Sequence, residues 1–194
     1  QFSMLLGDLY YDRELYALAL TEYQSAEKVS PGDYTIREAI AYAHGRLGHD
    51  RASMEYWKAL VQDFPDRPEP VQNLGWLLFK VHQLDEGERL VLDGLQRFGD
   101  DPDLTMTLAT IYADMYRFDD SQRLYLRAID FAEQYDDDRF IAVAYYNLSL
   151  IQTAFYKFGA ALASTTASLA HARRATGYLA RGELYELRLD NVRA

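Results

Sequence analysis

The chain of 194 residues is 49% hydrophobic and 26% charged, which is the balance of an ordinary folded protein and excludes an intrinsically disordered chain. Its formal net charge of −10 argues against a nucleic-acid partner, because phosphate contacts need clustered Lys and Arg side chains. The absence of cysteine excludes disulfides and thiolate chemistry, and no apolar run approaches the roughly 18 residues that would predict insertion into a membrane.

The first predicted element is a pair of helices at about residues 1–33. Apolar side chains recur there at helical spacing, as at Leu15, Leu18 and Tyr23. The segment "SPGD" then combines a proline with a glycine, which predicts that the second helix of this pair ends there.

The same pattern returns along the chain and predicts further units at about 34–67, 68–101, 102–141 and 142–177, followed by a capping or partial-repeat helix at 178–194. Small residues set the register of these units. The first column, with spacings of 34, 34, 34 and 40 residues, contains Gly7, Ala41, Gly75, Ala109 and Ser149. The next two contain Ala19, Ala52, Gly87, Ser121 and Ala161, and Ala26, Ala59, Gly94, Ala128 and Ser168. Because small side chains let helices approach to about 8–10 Å, the columns predict stacked helix pairs.

The first unit also contains the fullest set of motif residues, namely Leu6, Gly7, Tyr10, Ala19, Tyr23, Ala26 and Pro31. This set, and its return over essentially the whole chain, resembles the tetratricopeptide repeat (TPR), a helix-turn-helix unit of about 34 residues. The resemblance implies an all-α fold: a right-handed superhelical solenoid of about five TPR repeats plus the C-terminal helix, in a single domain.

Two units depart from the family pattern. In the second unit Gly48 precedes Ala52 by four residues where the family has five, so we expect a turn one residue short. The fourth unit is six residues longer than its predecessors and has no closing proline. We therefore expect its second helix to extend through "IDFAEQYDDD", residues 129–138.

The resemblance also implies a binding surface, because the first helices of TPR arrays line a concave groove. The groove positions contain Tyr11, Tyr42, Gln72, Trp76, Phe79, Lys80, Met106, Thr110 and Tyr146, with an acidic rim of Asp8, Asp12, Glu38 and Asp103. Since Gly75 faces the partner helix, we expect Trp76 to point away from the core, with Phe79 on the same helical face. Exposed aromatic clusters mark interaction sites. The alternative is that Trp76 and Tyr42 pack on each other.

Motifs for chemistry are missing from the sequence. The four histidines are His44, His49, His82 and His171, and no two of them have the i, i+4 spacing of a helical zinc site. There is no phosphate-binding loop and no nucleophile elbow. We therefore predict no catalytic residues, no metal and no cofactor, and a protein that is not an enzyme.

The predicted partner is a protein or peptide segment with apolar anchors and basic residues, held by a non-catalytic scaffold. Chaperone-binding TPRs clamp a C-terminal carboxylate with Lys, Arg and Asn at fixed repeat positions. Only Asn73 fits this set, and Asp103 stands where a cation is needed, so binding of a chaperone tail is disfavoured.

The chain begins at Gln1 without an initiator methionine, so we expect a fragment of a longer protein. Alternatives are the substrate-recruiting arm of a larger enzyme, and a self-assembly or secretion-chaperone module. A soluble protein is expected, cytoplasmic or periplasmic if bacterial.

Overall fold

The computed structural model describes residues 2–135 and 137–171, so the predicted helix at 178–194 lies outside the described residues. The described residues form ten α-helices: α1 Phe2–Asp12, α2 Tyr16–Val29, α3 Tyr34–Arg46, α4 Asp50–Asp63, α5 Pro68–Lys80, α6 Leu84–Phe98, α7 Pro102–Asp114, α8 Phe118–Glu133, α9 Asp138–Ala154 and α10 Phe158–His171. None of these helices is long and apolar enough to cross a membrane.

Aspartates begin three of the odd-numbered helices. The side chains of Asp33, Asp101 and Asp137 accept hydrogen bonds from the backbone amides three residues later, at N···O distances of 3.1, 2.8 and 3.0 Å. Such N-caps provide hydrogen-bond acceptors for amides that have no partner within the helix. A negative charge at this end also interacts favourably with the helix dipole. The loop segments rich in Asp, Gly and Pro therefore set where α3, α7 and α9 begin.

Each odd-numbered helix is joined to the next helix by a three-residue turn, and the middle residue of every such turn has a positive φ. In the first turn the Leu15 amide donates to the Tyr10 carbonyl oxygen at 2.9 Å, as in a Schellman C-cap. Only the second turn has glycine at the middle position, Gly48, with φ 74°. The others contain Glu14, His82, Tyr116 and Tyr156, for which the left-handed conformation costs on the order of 1–2 kcal/mol.

The turn of the second unit has the same length as the others, so the prediction of a turn one residue short is wrong. The residue equivalent to Ala19 is Ser53, which is buried, and Ala52 lies only partly buried beside it. The Ser53 hydroxyl donates to the Ala41 carbonyl oxygen at 2.8 Å, which removes the cost of burying a polar group. In the same register the buried aromatic is Trp57.

The extra residues of the fourth unit do not extend its second helix through residue 138 as expected. Helix α8 ends at Glu133, whereas α9 begins at Asp138 and has 17 residues against 13 in α7. The Asp137 cap starts α9 before the predicted unit boundary at 141/142, which falls inside this helix. The insertion is therefore used mainly as an additional first turn of α9.

Above the level of the single repeat, the helices form two larger compact units, which divide between Val81 and His82. We call them unit 1, with α1 to α5, and unit 2, with α6 to α10. In unit 1, α2 contacts α1 and α3, and α4 contacts α3 and α5. Its core is built around Ala19, Tyr23, Ala26, Ile36, Ile40 and Ala43. In unit 2 the consecutive helices α6 to α10 pack in the same way, around Ala109, Tyr125, Ile129, Ala132, Ile141, Ala144 and Leu148. The predicted all-α class is confirmed, and the single domain stays a prediction.

Candidate partner-binding surface

The odd-numbered helices of unit 1 present the candidate site. Helices α2 and α4 pack between α1, α3 and α5, and the groove and rim residues predicted for this unit all lie on α1, α3 and α5. We call the exposed side of these three helices the first-helix surface; it includes Asp8, Tyr11, Glu38, Tyr42, Trp76 and Phe79.

The two tryptophans of the chain have opposite environments. Trp76 on α5 is 46% exposed, although Gly75 and Leu77 on either side of it are buried. Its ring centroid lies 5.1 Å from that of Phe79. Trp57 on α4 is only 2% exposed and belongs to the interior. Unit 1 therefore has one structural tryptophan and one whose indole stands partly in solvent.

Tyr42 connects α3 to α4 and α5. Its ring meets that of Trp57 edge to face, with centroids 4.9 Å apart, and it is still 41% exposed. Its hydroxyl oxygen accepts a hydrogen bond from Asn73 Nδ2 on α5 at 3.1 Å. Burial raises the pKa of the Tyr42 phenol, and the Asn73 donor opposes this rise. Tyr42 is thus a neutral phenol held in place with part of its ring open to solvent.

A cavity of about 370 Å³ opens between α1 and α3. It is lined by Met4, Asp8, Tyr11, Tyr23, Thr35, Glu38, Ala39 and Tyr42. Four of these, Asp8, Tyr11, Glu38 and Tyr42, are among the residues predicted from the sequence for the groove and its rim. The fold brings them together, although they lie up to 34 residues apart in the chain.

Both carboxylates of this cavity are held by tyrosines. The Tyr23 hydroxyl donates to Asp8 Oδ1, and the Tyr34 hydroxyl donates to Glu38 Oε1, each at 3.0 Å. Burial raises the pKa of Glu38, the hydrogen bond from Tyr34 lowers it, and the negative charge of Glu69 raises it again. Glu38 is therefore a partly desolvated acid at the wall of the cavity.

The other predicted residues of unit 1 do not line this cavity. Lys80 forms an ion pair with Asp50 of α4 at 2.7 Å, so its charge is already matched. Gln72 is half-buried on α5, and Asp12 is exposed at the end of α1.

Two of the four residues predicted for the groove and rim in unit 2 pack toward its core. Met106 packs against the core cluster, and the Thr110 hydroxyl lies 2.6 Å from that of the buried Tyr125. Tyr146 is half-buried, whereas Asp103 is exposed on the first turn of α7. Met106 and Thr110 therefore offer less open surface than Trp76 does in unit 1.

Sequence reasoning missed the contribution of the even-numbered helices. Tyr23 completes the cavity from α2, through its bond to Asp8 fifteen residues earlier. The same spacing links the contacting rings of Tyr42 and Trp57. In both pairs a residue of a first helix contacts the residue fifteen positions later on the second helix, a spacing that was visible in the sequence.

A second aromatic patch, also not predicted, lies on the turns of unit 2. Tyr116 and Tyr156 are each 81% exposed in the left-handed conformation. Each ring meets the phenylalanine two residues later edge to face, at Phe118 and Phe158, with centroids 6.0 Å apart.

Comparisons with known proteins agree with these repeats. No protein-family profile matches the chain. The regulatory protein RapK of Bacillus subtilis (strain 168) is 27% identical over 137 residues, which cover 64% of this chain and 37% of RapK, so the chain spans little more than a third of that relative.

Solved structures resemble the chain more completely. A thermophilic TPR protein of Thermus thermophilus is 18% identical with a TM-score of 0.79, covering 97% of this chain and 98% of its own. A tetratricopeptide repeat protein of Parabacteroides merdae is 19% identical with a TM-score of 0.83, covering 98% and 73%. At such identities the likeness speaks for the fold alone, and it confirms the resemblance drawn from the repeats. The chain therefore has the fold of tetratricopeptide-repeat proteins.

Proposed function

We propose that the chain is a non-catalytic protein-interaction scaffold, which holds an extended segment of a partner protein on the first-helix surface of unit 1. The observation that carries this proposal is the exposure of Trp76 beside Phe79, on a helix whose other side is buried. Tryptophan and tyrosine are enriched among the residues that dominate binding energy at interfaces. Repeat arrays of this kind also use the surface of their stacked helices for binding.

The charge of this surface favours a partner with basic residues. The acidic residues of α1, α3 and α5 are Asp8, Asp12, Glu38 and Glu69. Of the Lys and Arg residues on these helices, Lys80 is paired with Asp50 of α4 and Arg37 with Asp63 of α4, which leaves Arg46. The whole chain has a formal charge of −10. Complementary charge raises association rates and disfavours partners of like charge. A segment with apolar anchors for Trp76 and Phe79, and Lys or Arg between them, fits both properties.

The test is a comparison of captured proteins, using the wild type and the Trp76→Ala/Phe79→Ala variant. The control is Leu18→Ala, because Leu18 is 48% exposed on α2, outside the first-helix surface, and its truncation removes a similarly exposed apolar side chain. We expect specific partners to be lost with the double variant and retained with the control. Equal recovery by all three proteins, each folded by circular dichroism, would contradict the proposal.

A further inference from the structure

We propose that the cavity between α1 and α3 binds one arginine side chain of the partner segment. This inference rests on the proposed function and adds the chemical identity of one anchor. It concerns a part of the first-helix surface that neither Trp76 nor Phe79 lines.

The size and walls of the cavity suit a long side chain with an apolar stem. A volume of about 370 Å³ lies in the range of roughly 300–1,000 Å³ typical of small-molecule sites. Met4, Ala39 and the tyrosine rings supply apolar wall atoms. The methylene groups of arginine bury readily against such a surface while the charged end stays with polar groups.

The polar groups of the cavity match a guanidinium. Its lining includes two carboxylates, Asp8 and Glu38, and no Lys, Arg or His. Each carboxylate accepts one tyrosine hydroxyl, which fixes its position and leaves further acceptor sites on both oxygens. A guanidinium has five donors in a rigid fork and forms short, charge-assisted hydrogen bonds to carboxylates.

The aromatic residues add a second attraction for the same group. Tyr11, Tyr23 and Tyr42 surround the cavity, and tyrosine faces attract cations within about 6 Å of the ring centroid. Unit 1 already contains such pairs: the Arg67 guanidinium lies 4.1 Å from the Tyr34 ring centroid, and that of Arg46 lies 4.8 Å from Tyr16.

Other occupants fit less well. An anion would meet two negative charges, and an apolar side chain would remove water from both carboxylates without replacing their hydrogen bonds. Burial raises the pKa of Glu38, although the hydrogen bond from Tyr34 and the positive charge of Arg67 lower it. A cation that enters the cavity stabilises the ionised carboxylate of Glu38 and so offsets the free-energy cost of burying its charge.

The experiment uses N-acetyl-arginine amide as probe and N-acetyl-citrulline amide as its neutral analogue of nearly the same shape. Amide ¹H–¹⁵N spectra of the whole chain are recorded during titration with each. We expect the arginine probe to give saturable shifts at residues of α1 and α3, and the citrulline probe to bind at least tenfold more weakly. Equal binding of both probes, or no saturable shift with the arginine probe, would overturn the proposal.

A paired variant locates the binding site. Asp8→Asn/Glu38→Gln removes both charges but keeps the oxygen acceptors for Tyr23 and Tyr34, so the fold should persist. The control Glu55→Gln/Asp66→Asn removes two charges from exposed positions of unit 1 that do not line the cavity. Affinity for the arginine probe should fall at least tenfold in the first variant and less than twofold in the control.

Equal loss in both variants would show a general charge effect and refute the cavity site. The two proposals fail separately. If the arginine probe binds but capture does not depend on Trp76, the arginine site in the cavity is supported and the proposed function is refuted. If capture depends on Trp76 but the arginine probe does not bind, the proposed function is supported and the arginine site is refuted.

Discussion

Replacing each tryptophan by alanine tests the different roles that unit 1 gives them. Trp57 is 2% exposed, and its indole meets the ring of Tyr42 edge to face. A buried aromatic side chain removes about 200 Å² from water, which at about 25 cal/mol per Å² is worth roughly 5 kcal/mol. We therefore expect Trp57→Ala to lower the free energy of unfolding by about 3–5 kcal/mol, as large core truncations do.

Trp76→Ala should cost much less. Because Trp76 is 46% exposed, folding buries only about half of its surface. The same arithmetic then gives a loss of unfolding free energy of at most about 2–3 kcal/mol. Compact unfolded chains already bury part of that surface, so we expect about 1–2 kcal/mol. The difference between the two variants should then be at least about 1 kcal/mol.

The assay is urea unfolding followed by circular dichroism at 222 nm, since tryptophan fluorescence changes with the substitutions themselves. Trp57→Phe accompanies the pair as a milder variant, in case Trp57→Ala does not fold at all. The reasoning is refuted if Trp76→Ala lowers stability as much as Trp57→Ala. It is also refuted if Trp57→Ala costs less than about 1 kcal/mol, because the second helix pair, α3 and α4, would then pack in another register.

Two more predictions concern the core and the pH dependence. Gly7→Ala places a Cβ 2.4 Å from Cε1 of the buried Tyr23, so we expect a loss of about 1–3 kcal/mol in urea unfolding. Gly159→Ala, whose Cβ meets nothing within 4 Å, should instead gain up to about 1 kcal/mol, and equal effects would argue against the α1–α2 contact. Burial, and secondarily the charge of His49, lowers the pKa of His44, so the unfolded state takes up a proton first as the pH falls below about 6.5. Stability should therefore fall between pH 7 and pH 5, less so in His44→Gln, and parallel profiles of the two proteins would contradict this.

The sequence predicted the helix pairs because their determinants are local and repeated. Gly7, Ala41 and Ala109 are all buried where the first helix of a pair meets the second, and the aspartate caps follow from loop composition. The prediction was wrong where two neighbouring residues were both plausible. Ala52 and Ser53 are both small, and Ser53 occupies the buried position because the turn before α4 has three residues, as in the other repeats. Its hydroxyl is satisfied by the Ala41 carbonyl oxygen of α3.

The candidate site was predictable only in part. The exposure of Trp76 and Tyr42 follows from their position beside a buried small residue, Gly75 or Ala41, on an amphipathic helix. The cavity between α1 and α3 does not follow from any column, because it depends on side-chain orientation. Tyr23 of α2 donates to Asp8 of α1 and lines the cavity, and such side-chain positions are set by tertiary packing.

The most direct test of partner binding at the first-helix surface is the accessibility of Trp76 to acrylamide, measured by fluorescence quenching with and without a captured partner. Trp57 is already shielded in the free protein, so a change in quenching reports mainly on Trp76. We predict that a saturating partner lowers the quenching constant severalfold, and that the same partner binds Trp76→Ala at least tenfold more weakly. Unchanged quenching at saturation, together with full affinity of Trp76→Ala, would contradict the account.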